Sequence, residues 1–127
     1  TARAVLPAQV SRQDAVFNVQ RVALLLQAVA TGRTDVLRAA FADRLHQPYR
    51  LPLVAGLAEV LALDAPGVLG AFLSGAGPSA AVCVSGDVEP AIAALRAIYD
   101  ALRQDVTIRV LDVHQPAATP PLAVSHG

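Results

Sequence analysis

Two short stretches of this 127-residue chain carry residue types that could do chemistry. The first is Leu73-Ser74-Gly75-Ala76-Gly77-Pro78-Ser79. Two glycines one residue apart permit positive φ and let another backbone or a phosphate come where a Cβ would intrude. Pro78 fixes its own φ and biases Gly77 away from the αR region. The loop matches neither GxxxxGK(S/T) nor GxGxxG, and the chain contains no lysine. On spacing alone, a five-residue hairpin connection is the simpler reading. The second stretch is the polar corner Asp43-Arg44-Leu45-His46-Gln47-Pro48-Tyr49-Arg50. An arginine fork matches the two oxygens of a carboxylate, which makes the corner a candidate anion site. A solvated helix end, its positive charge offsetting the C-terminal dipole, accounts for the same residues equally well. His46 has no second His or Cys nearby and is a poor metal ligand. Arg3, among small and apolar neighbours, reads as a surface residue, and Arg21 as solvated or intrahelical.

The elements around these stretches follow from periodicity and punctuation. Val68-Leu69-Gly70-Ala71-Phe72-Leu73 and Ala80-Ala81-Val82-Cys83-Val84 are apolar runs bounded by Gly, Pro and Ser, the pattern of two buried strands joined by a turn. Ser11 to Asp14 has the spacing of a capping box, with Asp in place of Glu, and opens a helix to about Thr31 that Gly32 ends. Its apolar face is expected along Val16, Val19, Ala23, Leu26 and Val29-Ala30, widened by Phe17, Leu24 and Leu25. Thr34 is expected to cap a second helix with Asp35 in its first turn, and Pro48 to stop it near Gln47. Pro52 is expected to start a third helix through Val54, Leu57, Val60 and Leu61, ending at Pro66-Gly67. Asp87 is the expected N-cap of a fourth, with Ile92, Leu95, Ile98-Tyr99 and Leu102 at helical spacing. Val106 to Val113 reads as a third strand, and residues 115–127 as a mobile, proline-containing tail.

Helices segregated over an antiparallel sheet define an α+β domain, here residues 1–114. Its length allows one domain with a genuine core. The 54% hydrophobic content with only 4% aromatics suggests helices packed closely on a small sheet. Ten arginines balance ten acids, which excludes the basic footprint of a nucleic-acid binder. No stretch reaches the length of a membrane span and no signal peptide is evident, so a cytoplasmic setting is expected. Cys83, the single cysteine, lies in an apolar run and is expected to be an inert core thiol. The chain starts at Thr1, inside an apparent structural element, and a piece of a longer protein is expected. A strand before Thr1 would cover the exposed edge of a three-stranded sheet.

Thr1-Ala2-Arg3-Ala4-Val5-Leu6-Pro7, the corner at residues 43–50 and the loop at residues 73–79 together resemble homoserine kinases of the GHMP kinase superfamily, in order and in spacing. The resemblance spans residues 1 to about 85 and is weaker to residue 113. The glycine loop looks like the superfamily's third motif, whereas the corner is specific to homoserine kinases. The resemblance implies a ferredoxin-like α+β C-terminal domain and phosphoryl transfer from MgATP to the hydroxyl of L-homoserine, a step toward threonine. It implies that Arg3 and Arg50 hold the substrate carboxylate from one shared pocket. It implies too that Gly75, Ala76, Gly77 and Ser79 lie beside the nucleotide's phosphate loop. No segment here resembles the family's ATP loop, so ATP and Mg²⁺ belong to the full-length parent, and neither is expected for this chain alone, nor is catalysis. The expected partners are L-homoserine and the missing N-terminal ATP-binding half, with homodimerisation left open. The rival reading is a free-standing ferredoxin-like module that senses a small ligand without catalysis.

Overall fold

Ser11 shows how local chemistry starts the first element. Its hydroxyl accepts a hydrogen bond from the Asp14 backbone N–H at 3.0 Å and donates to the Asp14 carboxylate at 2.7 Å. Helix α1 then runs Arg12–Thr31 and closes on Gly32 in the left-handed region, as the capping pattern predicted. The structure is a computed structural model that describes residues 4–113. A 3₁₀ turn at Thr34–Val36 leads into α2 (Leu37–Ala40). After it come α3 (Gln47–Arg50), a 3₁₀ turn at Leu51–Leu53 and α4 (Leu57–Leu61). Strands β1 (Val68–Leu73) and β2 (Ala80–Val84) follow, and then helix α5 (Glu89–Ala101).

The two strands pair antiparallel, Leu73 opposite Ala80 and Val68 opposite Val84, with the glycine loop between them, as expected. Helices α2 and α4 pack on β1, and α4 also touches β2 and α5. The class is α+β. Val54, Leu57 and Leu73 form the buried core cluster, with Leu61 and Ala80 packed against it. The Phe41 and Phe72 rings meet beside it at 4.8 Å between centroids. Gly70 explains how closely α2 lies on the sheet. A Cβ there would come within 2.8 Å of the Phe41 ring and 3.0 Å of the Arg38 Cα.

Four expectations about the helices before β1 are corrected. Most of the expected apolar face of α1 turns outward: Val16, Val19, Leu26 and Val29 are exposed, at 49–73%, and only Phe17, Leu24 and Leu25, expected to widen that face, are half-buried. The helix is apolar around most of its circumference, so periodicity does not choose its inward side. That side is chosen by Asn18, which bonds to Asp43, and by Ala28, which is buried where α1 packs on α2 and the first 3₁₀ turn. The second helix ends at Ala40, and Thr34, expected to cap it, instead begins the 3₁₀ turn with no side-chain cap, while Asp35 stands in the first turn as expected and pairs with Arg33 at 2.6 Å. Pro48 begins α3 rather than ending α2, since the first turn of a helix does not need the N–H that proline lacks. The helix expected from Pro52 is split, the left-handed Gly56 separating the 3₁₀ turn from α4.

Residues 106–113 carry no assigned strand, so the sheet is two-stranded among the described residues. Alternating β-branched residues make a segment able to join a sheet, but pairing also needs a complementary edge within reach. Val88 rather than Asp87 stands at the N-cap position of α5. The Asp87 carboxylate still accepts from the Glu89 N–H at 3.0 Å, the job expected of it. Cys83 is half-buried, and burial pushes its thiol pKa up, in keeping with an inert thiol. The tail at residues 115–127 lies outside the described residues.

Candidate functional site

Asp43 is the residue around which the polar corner folds. Its Oδ1 accepts from the Asn18 side-chain amide at 2.6 Å and from the Leu45 N–H at 3.0 Å. Its Oδ2 accepts from the N–H groups of His46, at 2.9 Å, and Gln47. Asn18 returns the contact, its carbonyl oxygen accepting from the Arg44 N–H at 2.9 Å. The carboxylate thus gathers the N–H groups that the start of α3 would otherwise leave unpaired, and it pins that start to α1. Burial alone would raise the Asp43 pKa. The bonds from Asn18 and from the N–H groups of Gln47, Leu45 and His46 outweigh it and hold the carboxyl below its ordinary value.

The inward face of α3 consists of Gln47 and Arg50, only 8% and 3% exposed. Gln47 donates to the Phe41 carbonyl at 3.0 Å and accepts from the Leu73 N–H at 2.8 Å. The corner is therefore fastened to the last residue of β1, directly before the glycine loop. Arg50 donates through Nε to the His46 Nε2 at 3.3 Å. Among the described residues no carboxylate forms an ion pair with it. A buried guanidinium normally has a counter-charge, because removing it from water unpaired is costly. Arg50 therefore has the chemistry of an anion receptor.

The loop itself is held by a bond from the Ser74 N–H to the Ser79 carbonyl at 2.8 Å and one from the Gly77 N–H to the Ser74 carbonyl at 3.3 Å. Gly75 and Gly77 have φ of +60° and +81°, as the glycine spacing led us to expect. A Cβ on Gly77 would lie 3.1 Å from Val54 and 3.2 Å from Leu73, while one on Gly75 would meet nothing. Gly75, Ala76 and Ser79 are exposed, so the loop rests on the core at Gly77 and presents its tip to solvent.

The structure thus fastens the corner to the base of the loop. Arg3 lies outside the described residues, and with it the shared pocket expected for Arg3 and Arg50. Arg21 belongs to the neighbourhood of the corner. Its guanidinium lies 4.4 Å from the centroid of the Phe17 ring, and that of Arg44 lies 4.0 Å from the same centroid. The Arg21 Nε is buried without a hydrogen-bond partner. Among the described residues no group of His, Cys, Asp and Glu is arranged to hold a metal ion. Asn18, Asp43 and Gln47 are the structural residues that periodicity and spacing did not single out. One signal was present: an Asp shortly before a proline is a helix-start pattern.

Residues 25–101 match the family model of the GHMP kinase C-terminal domain. The chain belongs to that family. It is 68% identical over 78 residues to a homoserine kinase from Solibacter usitatus, which covers 61% of this chain and 26% of that protein. A homoserine kinase from Moorella thermoacetica is 52% identical over 97 residues, 73% of this chain and 33% of its own length. The crystal structure of homoserine kinase from Cytophaga hutchinsonii superimposes with a TM-score of 0.69 at 31% identity, covering 80% of this chain and 33% of that one. The chain therefore spans roughly a quarter to a third of the length of these relatives.

Proposed function

We propose that this chain is the C-terminal part of a homoserine kinase, an enzyme that transfers the ATP γ-phosphoryl group to the hydroxyl of L-homoserine on the route to threonine. The observation that carries the reading is Arg50, a residue only 3% exposed whose guanidinium forms no ion pair with a carboxylate among the described residues. An amino-acid carboxylate would supply the missing counter-charge, and Arg3 would be its second fork. With its carboxylate fixed, the substrate's distal hydroxyl would extend toward the Gly75–Ser79 loop. That loop, built on backbone with two positive-φ glycines, offers close approach to a phosphate-bearing neighbour. Phosphoryl transfer of this kind depends on positioning and charge neutralisation rather than on covalent work by the protein.

The described residues provide no carboxylate set for Mg²⁺, and no step is assigned to the metal here. ATP and Mg²⁺ would bind through the part of the enzyme that precedes this chain, and the chain alone would be inactive and bind L-homoserine weakly. Among the described residues no helix is long and apolar enough to cross a membrane.

The test is kinetic. In an intact kinase carrying this chain as its C-terminal part, Arg50→Ala should raise the KM for L-homoserine by roughly 10- to 100-fold, the loss of one charge-assisted pair. The KM for ATP should stay nearly unchanged. Arg50→Lys should recover little, because an ammonium lacks the two-pronged geometry. An unchanged homoserine KM in Arg50→Ala would refute the substrate assignment.

A further inference from the structure

Arg50 and the glycine loop lie far apart in sequence, yet α3 grips the loop at both ends. At one end, Gln47 accepts from the Leu73 N–H at 2.8 Å while donating to the Phe41 carbonyl at 3.0 Å. At the other, the Val54 N–H donates to the Arg50 carbonyl at 3.2 Å, and Val54 packs beneath Gly77. Gln47 and Arg50 are three residues apart and share the buried face of one helical turn. Any tilt of α3 that moves Arg50 must therefore also pull on Leu73.

We propose that Gln47 is a positioning residue that couples the Arg50 guanidinium to the glycine loop. The pose of an anion on Arg50 and the shape of the loop are then set together. The consequence for catalysis rests on the homoserine kinase reading, whereas the coupling itself is a property of this chain.

The chemistry requires an amide. Gln47 needs a donor for the Phe41 carbonyl and an acceptor for the Leu73 N–H at once. A carboxylate supplies acceptors alone, but a protonated carboxyl supplies both. A glutamate in this buried place would have a raised pKa, so acid should restore what neutral pH removes.

The experiment uses the intact protein that carries this chain, without substrate. Exchange of the Leu73 backbone amide and of the Arg50 Nε–H is followed by NMR in wild type, Gln47→Met and Gln47→Glu. Every rate is taken relative to wild type at the same pH, which cancels any effect of pH on the Arg50–His46 contact that the three proteins share. Gln47→Met removes both side-chain hydrogen bonds and should accelerate both signals by roughly tenfold or more at pH 7 and pH 5 alike. Gln47→Glu should do so at pH 7 and return toward wild type at pH 5. If Gln47→Glu unfolds at pH 7, recovery of its fold at pH 5 is the same result. Faster Leu73 exchange with an unchanged Arg50 Nε–H would overturn the coupling, as would a Gln47→Glu effect independent of pH. None of these outcomes depends on the identity of the substrate, which the KM measurements decide separately.

Discussion

Replacing Gly77 by alanine tests how the loop is seated. At φ +81° an alanine pays the left-handed penalty, about 1 kcal/mol or somewhat more. Its Cβ would also lie 3.1 Å from Val54 Cγ2 and 3.2 Å from Leu73 Cδ1, both side chains of the core cluster. Val54 and Leu73 must each give by a few tenths of an ångström in a packed core, which adds about another 1 kcal/mol. Gly75→Ala is the internal control. It has φ of +60° and nothing within 4 Å of the added carbon, so it keeps the backbone penalty and drops the steric one. Urea unfolding followed by circular dichroism should show Gly77→Ala destabilised by about 2 kcal/mol and Gly75→Ala by about 1 kcal/mol. Equal effects at the two positions would refute the claim that the loop is clamped on the core at Gly77. On the proposed kinase reading, the same clamp would make Gly77→Ala the more damaging of the pair for turnover.

Asp43→Asn presents an amide to N–H donors that now share a carboxylate, and should cost about 1–3 kcal/mol at pH 7 by urea unfolding. The Asp43 pKa is lowered in the folded state, so its stabilisation is present above the ordinary carboxyl value and disappears as pH falls through the lowered one. The gap between wild type and Asp43→Asn should therefore close as the pH is taken well below about 4, and a gap that persists there would contradict the assignment. Leu26→Ala, on the exposed face of α1, should change stability by less than about 0.5 kcal/mol, whereas Leu57→Ala in the core should cost about 2–5 kcal/mol. Similar unfolding midpoints for these two variants would show that the inward face of α1 has been misplaced.

Local signals explain what was legible before the fold was known. The Ser11 cap and the Gly32 stop of α1 depend on neighbours within a few residues, so spacing alone located them. The antiparallel hairpin follows from two apolar runs and a turn too short to reverse anything else. Arg50 was picked out by the resemblance, and the structure then placed it in a buried position with no described counter-charge. Asp43 and Gln47 were visible only as members of a polar cluster. Their partners, Asn18 and Leu73, are 25 and 26 residues away, and no periodicity encodes a contact over that distance.

The sequence by itself determined the ends of α1, the hairpin, the α+β class, the glycine loop and the family, because each is written in short-range pattern or in motif order. The tertiary structure alone decided which side of α1 turns inward, that Pro48 opens a helix, and that residues 106–113 add no strand among the described residues. Each of these is settled by which groups the fold brings together. A helix apolar on most sides takes its orientation from the polar group that must find a mate, here Asn18 on Asp43. A proline starts a helix when a carboxylate is in place to receive the N–H groups around it. A strand-forming segment becomes a strand only beside an edge that can accept its hydrogen bonds.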